Sequence, residues 1–333
     1  MSVADYSFSF PTELAMTGPC PIRGDARMIV VDALKETVEH SHIRELPDRI
    51  KGREVWANNT KLLHWRIQMT RDTGQKVEFD LVKKVEDRVY EAIGSGAIVL
   101  FENVRPWYTE DGITASLTHT RKQRVRVEFE REPDFDKIGN LSLTPQIKRP
   151  GTKEEFMTYE SSYASIPGSL IPPCAGWHLT EETRSKLDWH ELSLHTSWDG
   201  FWTLENIPVS DQAGRMSQES YTIPNPPKGK VFAVGTTTVK ALESYARSGN
   251  SEGLSNLFIH GADFDFKLVD GMLTTMHFPA MSVMTMVCAL GGLELVIDAH
   301  REAVEKRYRF GDYGDCFLLL NSKPRIDFHP PVL

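Results

Sequence analysis

Three short runs carry most of the chemistry that this chain can offer. The first is Val231-Phe232-Ala233-Val234-Gly235-Thr236-Thr237-Thr238, an apolar strand that turns directly into a helix carrying Val239, Leu242 and Tyr245. A strand–Gly-Thr-Thr–helix junction presents backbone N–H groups at a helix N-terminus, where a carboxylate or phosphate binds. It is neither a GxGxxG nor a Walker loop, and without a ligand the same run is a well-capped connection. The second is Ala175-Gly176-Trp177-His178-Leu179-Thr180. Histidine suits proton transfer near neutral pH, and glycine permits close backbone approach. A lone histidine before a helix is also commonly a structural hydrogen-bonding group. The third is His195-Thr196-Ser197-Trp198-Asp199-Gly200-Phe201-Trp202, three aromatics beside a histidine. They suit either cation–π contact or ordinary core packing.

These runs need a scaffold, and the hydrophobic period changes twice along the chain. Up to about residue 64 the pattern is mixed strand and loop, with Arg27–Asp32 a buried-strand candidate. From about 65 to 149 it is all-β. Val77, Phe79 and Leu81 alternate with polar residues after an Asp72-Thr73-Gly74 turn. Ala97 to Phe101 is a continuous apolar strand, and Val125, Val127 and Phe129 alternate again. Short strands of this kind suggest a small antiparallel barrel, ended by the breaker cluster Lys148-Arg149-Pro150-Gly151. Beyond it, Thr180 reads as a helix N-cap followed by Glu181 and Glu182. Gly249 stops the helix that carries Val239, Leu242 and Tyr245. A final long helix carries Leu295, Val296, Ala299, Ala303 and Val304, with Glu302 and Lys306 as an i,i+4 pair. The expected architecture is α/β (α+β): a discontinuous mixed-sheet domain of residues 1–64 plus 150–333, interrupted by a β-barrel insert at 65–149.

The composition narrows the function classes. The chain has 333 residues, 40% hydrophobic and 25% charged, as in a soluble globular protein. It has no apolar run of about 18 residues and no basic-then-apolar start, so neither a membrane span nor a secretory signal is expected. Cys20, Cys174, Cys288 and Cys316 lie far apart without a CxxC pair, which argues against a disulfide framework or zinc site and fits a reducing cytoplasm. The net charge of −8 does not favour gripping nucleic acid by bulk attraction. Residues 65–150 hold 15 Lys+Arg against 14 Asp+Glu, so any RNA-facing surface is a local patch. Arg124 and Arg126 share a strand face with Glu128 and Glu130, which reads as an ordinary solvated barrel face.

Taken with Val269-Asp270-Gly271-Met272-Leu273-Thr274-Thr275-Met276-His277-Phe278-Pro279 and Tyr308-Arg309-Phe310-Gly311-Asp312-Tyr313-Gly314-Asp315, these runs resemble one family in order and spacing. It is the S-adenosylmethionine:tRNA ribosyltransferase-isomerase family, which builds the cyclopentenediol precursor of queuosine on tRNA. Met216-Ser217-Gln218-Glu219-Ser220-Tyr221 and Trp56-Ala57-Asn58-Asn59-Thr60-Lys61 resemble two further family segments. The resemblance implies a monomeric cytoplasmic enzyme with the same two-part layout and with no metal or cofactor beyond S-adenosylmethionine as substrate. It implies His178, His195, Glu219 and His277 as proton-transfer groups, without dividing base from acid. It implies Gly176, Trp177, Trp198, Phe201, Gly235, Thr236, Thr237 and Thr238 as S-adenosylmethionine contacts.

The chain departs from the family pattern at several places. Asn59 stands for an aspartate, Lys61 and Lys240 for arginines, Ser217 for a histidine, and Ser197 and Asp199 for glycines. Thr275 and Ala280 stand for asparagine and lysine. Three readings follow: the tRNA-modifying enzyme, a paralogue that uses S-adenosylmethionine with a small acceptor or none, and a non-catalytic binding protein. The reaction implied is transfer of the ribosyl carbons of S-adenosylmethionine to a 7-aminomethyl-7-deazaguanine, with release of adenine and methionine.

Overall fold

A computed structural model describes residues 1–94, 106–121, 124–144, 147, 149, 151–198 and 203–322. The strand expected at Ala97–Phe101 lies outside the described residues, as do Lys148, Pro150 and the run Asp199–Trp202. The chain forms two compact units, Met1–Lys61 with Tyr159–Leu333, and Leu62–Thr158.

The smaller unit is a closed barrel of six strands: β5 (Arg66–Thr70), β6 (Lys76–Glu86), β7 (Val89–Gly94), β8 (Trp107–Thr109), β9 (Thr114–Arg121) and β10 (Arg124–Phe129). All of its neighbouring strands that pair are antiparallel. Side chains alternate across a strand, so every second residue fills the interior. Val77, Phe79 and Leu81 do so from β6, and Val125, Val127 and Phe129 from β10. The turn between β5 and β6 is closed by Gly74 at φ 81, with Gly74 N–H donating to the Arg71 carbonyl. On the outer face Arg124 pairs with Glu91 and Arg126 with Glu86, each at 3.0 Å. The partners of these arginines lie on β7 and β6, not on their own strand.

The larger unit holds a nine-stranded mixed sheet. Its strands are β1 (Arg27–Asp32), β2 (Thr37–His42), β3 (Glu54–Asn58), β12 (Asp188–Leu194), β13 (Glu219–Thr222), β14 (Val231–Val234), β15 (Glu252–Ser255), β16 (Val269–Thr275) and β17 (Cys316–Leu320). Their order is β15-β13-β12-β3-β14-β16-β17-β1-β2. The short strands β4 (Thr60–Leu62) and β11 (Ile166–Ser169) make a separate pair. Strands β12, β3, β14 and β16 run parallel, and β13 and β17 run against their neighbours β12 and β16.

Apolar clusters cover both faces of this sheet, which explains the unbroken apolar runs of β1, β14 and β17. The helix Thr236–Ser248 lays Val239 and Leu242, both fully buried, into one cluster. Each such side chain contributes roughly 1.5–3 kcal/mol by leaving water. Gly249 ends that helix at φ 74 and donates to the Tyr245 carbonyl. The final helix spans Leu293–Glu305, preceded across Gly292 by a second helix, Ser282–Gly291, that the sequence reading did not place. Among the described residues no single helix is long and apolar enough to cross a membrane.

Candidate functional site

The parallel run sets one edge of the sheet apart. Ligands of open α/β sheets gather beyond the carboxyl ends of the strands. Here that edge carries, in spatial order, the start of β13 with Glu219, the end of β12 with His195 and Thr196, the end of β3 with Asn58, the end of β14 with Gly235, and the end of β16 with His277. The turn before β17 joins them, because Met276 N–H donates to the Asp315 carbonyl and Gly311 N–H to the Met276 carbonyl.

Gly235 has φ 92, a backbone angle that only glycine adopts without strain. It starts the helix whose first N–H groups have no partner within the helix. Asn58, fully buried, ties three elements at this point. Its amide donates to the Leu194 carbonyl at 2.9 Å and to Thr237 Oγ1 at 3.1 Å, while its oxygen accepts from Leu194 N–H and Thr60 N–H. Thr238 turns away and donates to the Val234 carbonyl at 2.6 Å.

Beside this helix start lies a small, open-mouthed pocket. Thr196, Glu219, Thr236, Thr237 and Lys240 supply its polar lining, and Met216, Phe258, Val283 and Met286 belong to its apolar wall. Glu219 and Lys240 form an ion pair at 2.7 Å with each side chain 4% exposed. Glu219 also accepts from Ser197 N–H at 2.8 Å and from Ser197 Oγ at 3.1 Å. Thus Glu219 is buried at the start of β13, and Lys240 is held by its carboxylate.

The histidines fall into distinct settings. His195 Nδ1 lies 2.9 Å from Thr60 Oγ1, which lies 2.7 Å from Ser169 Oγ. Ser169 Oγ also accepts from Thr196 N–H at 2.8 Å, so two hydroxyls in series fix the plane of the His195 ring. The ring lies against Gly168, where a Cβ would come within 2.3 Å of Nδ1. Burial holds His195 below its ordinary pKa.

His178 is 1% exposed, and its Nε2 lies 2.9 Å from the Gly314 carbonyl. A carbonyl only accepts, so Nε2 carries the proton and Nδ1 is a bare acceptor, buried and without a hydrogen-bond partner among the described residues. Burial pushes His178 down to about 4, which keeps it neutral at pH 7. His277 Nε2 meets Thr274 Oγ1 at 2.9 Å, and burial and the neighbouring His300 hold its pKa down.

The structure brings Thr236, Thr237 and Glu219 together in the pocket and leaves Gly176, Trp177 and His178 out of its lining. Gly176 permits close approach to Tyr163, whose Oη would stand 1.7 Å from an added Cβ. Trp177 packs with the Arg23 guanidinium 4.7 Å from its ring centre and Tyr313 edge-on at 5.6 Å, so the indole fills space there. Trp198 is half-buried, and Phe201 lies outside the described residues. Asn58 and Thr60 lie inside the run Trp56–Lys61 but carried no signal of their own, and Gly168 and Ser169 lie in no marked run.

Two departures from the family pattern acquire a setting. Asn59 donates to Glu191 Oε2 at 3.1 Å and accepts from Ser193 Oγ at 2.7 Å. Ala280 holds φ 57, uncommon for a residue with a side chain, and its N–H donates to the Tyr6 carbonyl.

Residues 3–319 match the family model described as queuosine biosynthesis protein. The S-adenosylmethionine:tRNA ribosyltransferase-isomerase of Thermosipho africanus is 30% identical over 96% of this chain and 100% of its own length. That of Aquifex aeolicus is 31% identical over the same shares. The crystal structure of S-adenosylmethionine tRNA ribosyltransferase from Thermotoga maritima shares the fold, with a TM-score of 0.51 and 23% identity, covering 95% of this chain and 100% of that one. With the mixed sheet, the closed barrel and a match across nearly its whole length, the chain belongs to the queuosine biosynthesis protein family.

Proposed function

We propose that this chain is an S-adenosylmethionine-dependent ribosyltransferase-isomerase that acts on a 7-aminomethyl-7-deazaguanine in tRNA. Adenine and methionine are released and the ribosyl carbons become an epoxycyclopentane on the base. A tRNA substrate implies work in the cytoplasm. The observation that carries the reading is the sheet edge, where a helix N-terminus, a buried carboxylate–ammonium pair and neutral histidines line up on the carboxyl ends of parallel strands.

The reaction needs a base, a proton donor and a site that holds a sulfonium away from bulk water. The sulfonium acidifies the C5′ hydrogens of the substrate. A neutral imidazole can take one, and burial holds His178, His195 and His277 in the neutral form. Departing adenine needs a hydrogen bond or proton, which a histidine of the same set supplies. Loss of the C5′ proton opens the ribose at the C4′–O4′ bond and expels adenine, leaving C1′ as an aldehyde. The aminomethyl nitrogen of the base adds to C4′ and gives one proton to solvent, C5′ closes onto C1′, and the alkoxide so formed displaces methionine from C5′ as the epoxide closes. The proton taken from C5′ is balanced by the one delivered to adenine.

Adenine release from S-adenosylmethionine, followed by chromatography with and without tRNA bearing the 7-aminomethyl-7-deazaguanine, tests the reading. Release that depends on this tRNA supports it. Equal release without RNA would instead favour a member that cleaves S-adenosylmethionine or uses a small acceptor. Absence of release under both conditions would favour a binding protein.

A further inference from the structure

The pocket at the start of helix Thr236–Ser248 contains more charge than its shape requires. Glu219 and Lys240 are almost fully buried, and replacing such a pair by packed apolar side chains is often neutral or stabilising. Stability alone therefore does not account for it. Lys240 Nζ has three donors and meets one partner, Glu219 Oε2, among the described residues. Glu219 is fixed from its other side by Ser197. Thr236 and Thr237 add the positive end of a helix within the same lining. Met216, Val283 and Met286 add apolar surface without charge to the same lining.

We infer that this pocket is the subsite for the methionyl end of S-adenosylmethionine, with Glu219 holding its ammonium and Lys240 and the helix N-terminus holding its carboxylate. The inference rests on the proposed use of S-adenosylmethionine and adds which half of it lies here. A vicinal ammonium and carboxylate match two opposite charges 2.7 Å apart. The apolar wall suits the methylene chain up to the sulfur. C5′ is bonded directly to that sulfur, so the depth of the pocket fixes where the reacting carbon emerges. On this assignment Glu219 is a binding group rather than the proton-transfer group, and proton transfer falls to the histidines.

The test compares calorimetric affinities for S-adenosylmethionine and its decarboxylated analogue, which keeps the sulfonium and adenosine but lacks the carboxylate. The wild-type chain should prefer S-adenosylmethionine by about tenfold or more, the scale of a hydrogen bond to a charged group. Lys240→Met should bring the two affinities to near equality by weakening S-adenosylmethionine, while Lys240→Arg should keep the preference. Because Lys240→Met strands the buried Glu219 carboxylate, Glu219→Gln combined with Lys240→Met is measured beside it, with thermal melting as the control for folding. A double variant that melts near wild type and has lost the preference supports the subsite. A wild-type preference retained in the double variant overturns it while leaving S-adenosylmethionine use intact. Failure of the wild-type chain to bind either compound overturns both the subsite and the reading beneath it.

Discussion

Asn59 donates from its side-chain amide to Glu191 Oε2 at 3.1 Å, and Glu191 Oε1 accepts from Trp189 Nε1 at 2.9 Å. The position where the family pattern has an aspartate thus faces a carboxylate on the neighbouring strand. An aspartate at 59 would set two negative charges against each other and remove the donor. Asn59→Asp is expected to lower stability by roughly 1–3 kcal/mol. Urea unfolding checks it, and Glu191→Gln in the Asn59→Asp background should recover most of the loss. An Asn59→Asp variant as stable as wild type would contradict this pairing.

The chain Ser169–Thr60–His195 makes Thr60 a positioning residue. Thr60→Val removes the hydroxyl that meets His195 Nδ1 at 2.9 Å, so the imidazole loses the group that orients it. Turnover should fall about tenfold or more, with S-adenosylmethionine affinity nearly unchanged, and Thr60→Ser should restore it. Equal losses for valine and serine would point to packing instead.

Glu243 is a stability element within the catalytic unit. Its buried carboxylate accepts from the backbone N–H groups of Lys267, Leu268 and Val269, each at 2.9 Å, and from Arg247 at 2.6 Å. Glu243→Ala would leave three backbone donors without this partner, the Val269 N–H among them fully buried, at a cost of about 3 kcal/mol. A large drop in the melting midpoint is expected. A shift of only a degree or two would show that water or a local rearrangement replaces the carboxylate.

Two buried histidines give the fold an acid sensitivity. Burial lowers both His178 and His300 to about 4, below the roughly 6.5 of an unfolded histidine. Below about pH 6.5 the unfolded chain binds protons that the native chain refuses, so stability falls as pH drops toward 4. The slope is about 1.4 kcal/mol per pH unit for each histidine fully in that window. Denaturation midpoints between pH 7.5 and 5 should decline, and His300→Gln should flatten the curve. A flat wild-type profile would contradict the buried neutral state.

Much of this architecture was legible in the sequence where one face alone is buried. The alternation of Val125, Val127 and Phe129 marks the barrel because the other side of β10 faces solvent. Thr180, which accepts from Thr183 N–H, and Gly249 mark helix ends through local hydrogen bonds and backbone angle. Helix Ser282–Gly291 was not legible, since it is buried nearly all round and an apolar helix without a polar face has no period to read. The pairing of Glu219 with Lys240 and the stacking of His195 on Gly168 join residues distant in sequence, and only the sheet order brings them together. The same holds for Asn58, whose neighbours on β12 and the helix are set by strand pairing.

The central claim is that ribosyl carbons, rather than a methyl group, move from S-adenosylmethionine to tRNA. Incubation of the chain with S-adenosylmethionine labelled with carbon-13 throughout its ribose, and with tRNA carrying the 7-aminomethyl-7-deazaguanine, tests it directly. Mass spectrometry of the digested tRNA should find the modified base heavier by the five labelled carbons. Methyl-labelled S-adenosylmethionine should leave the base unlabelled. Methyl label in the tRNA, or adenine released without ribose label reaching the base, would contradict the account.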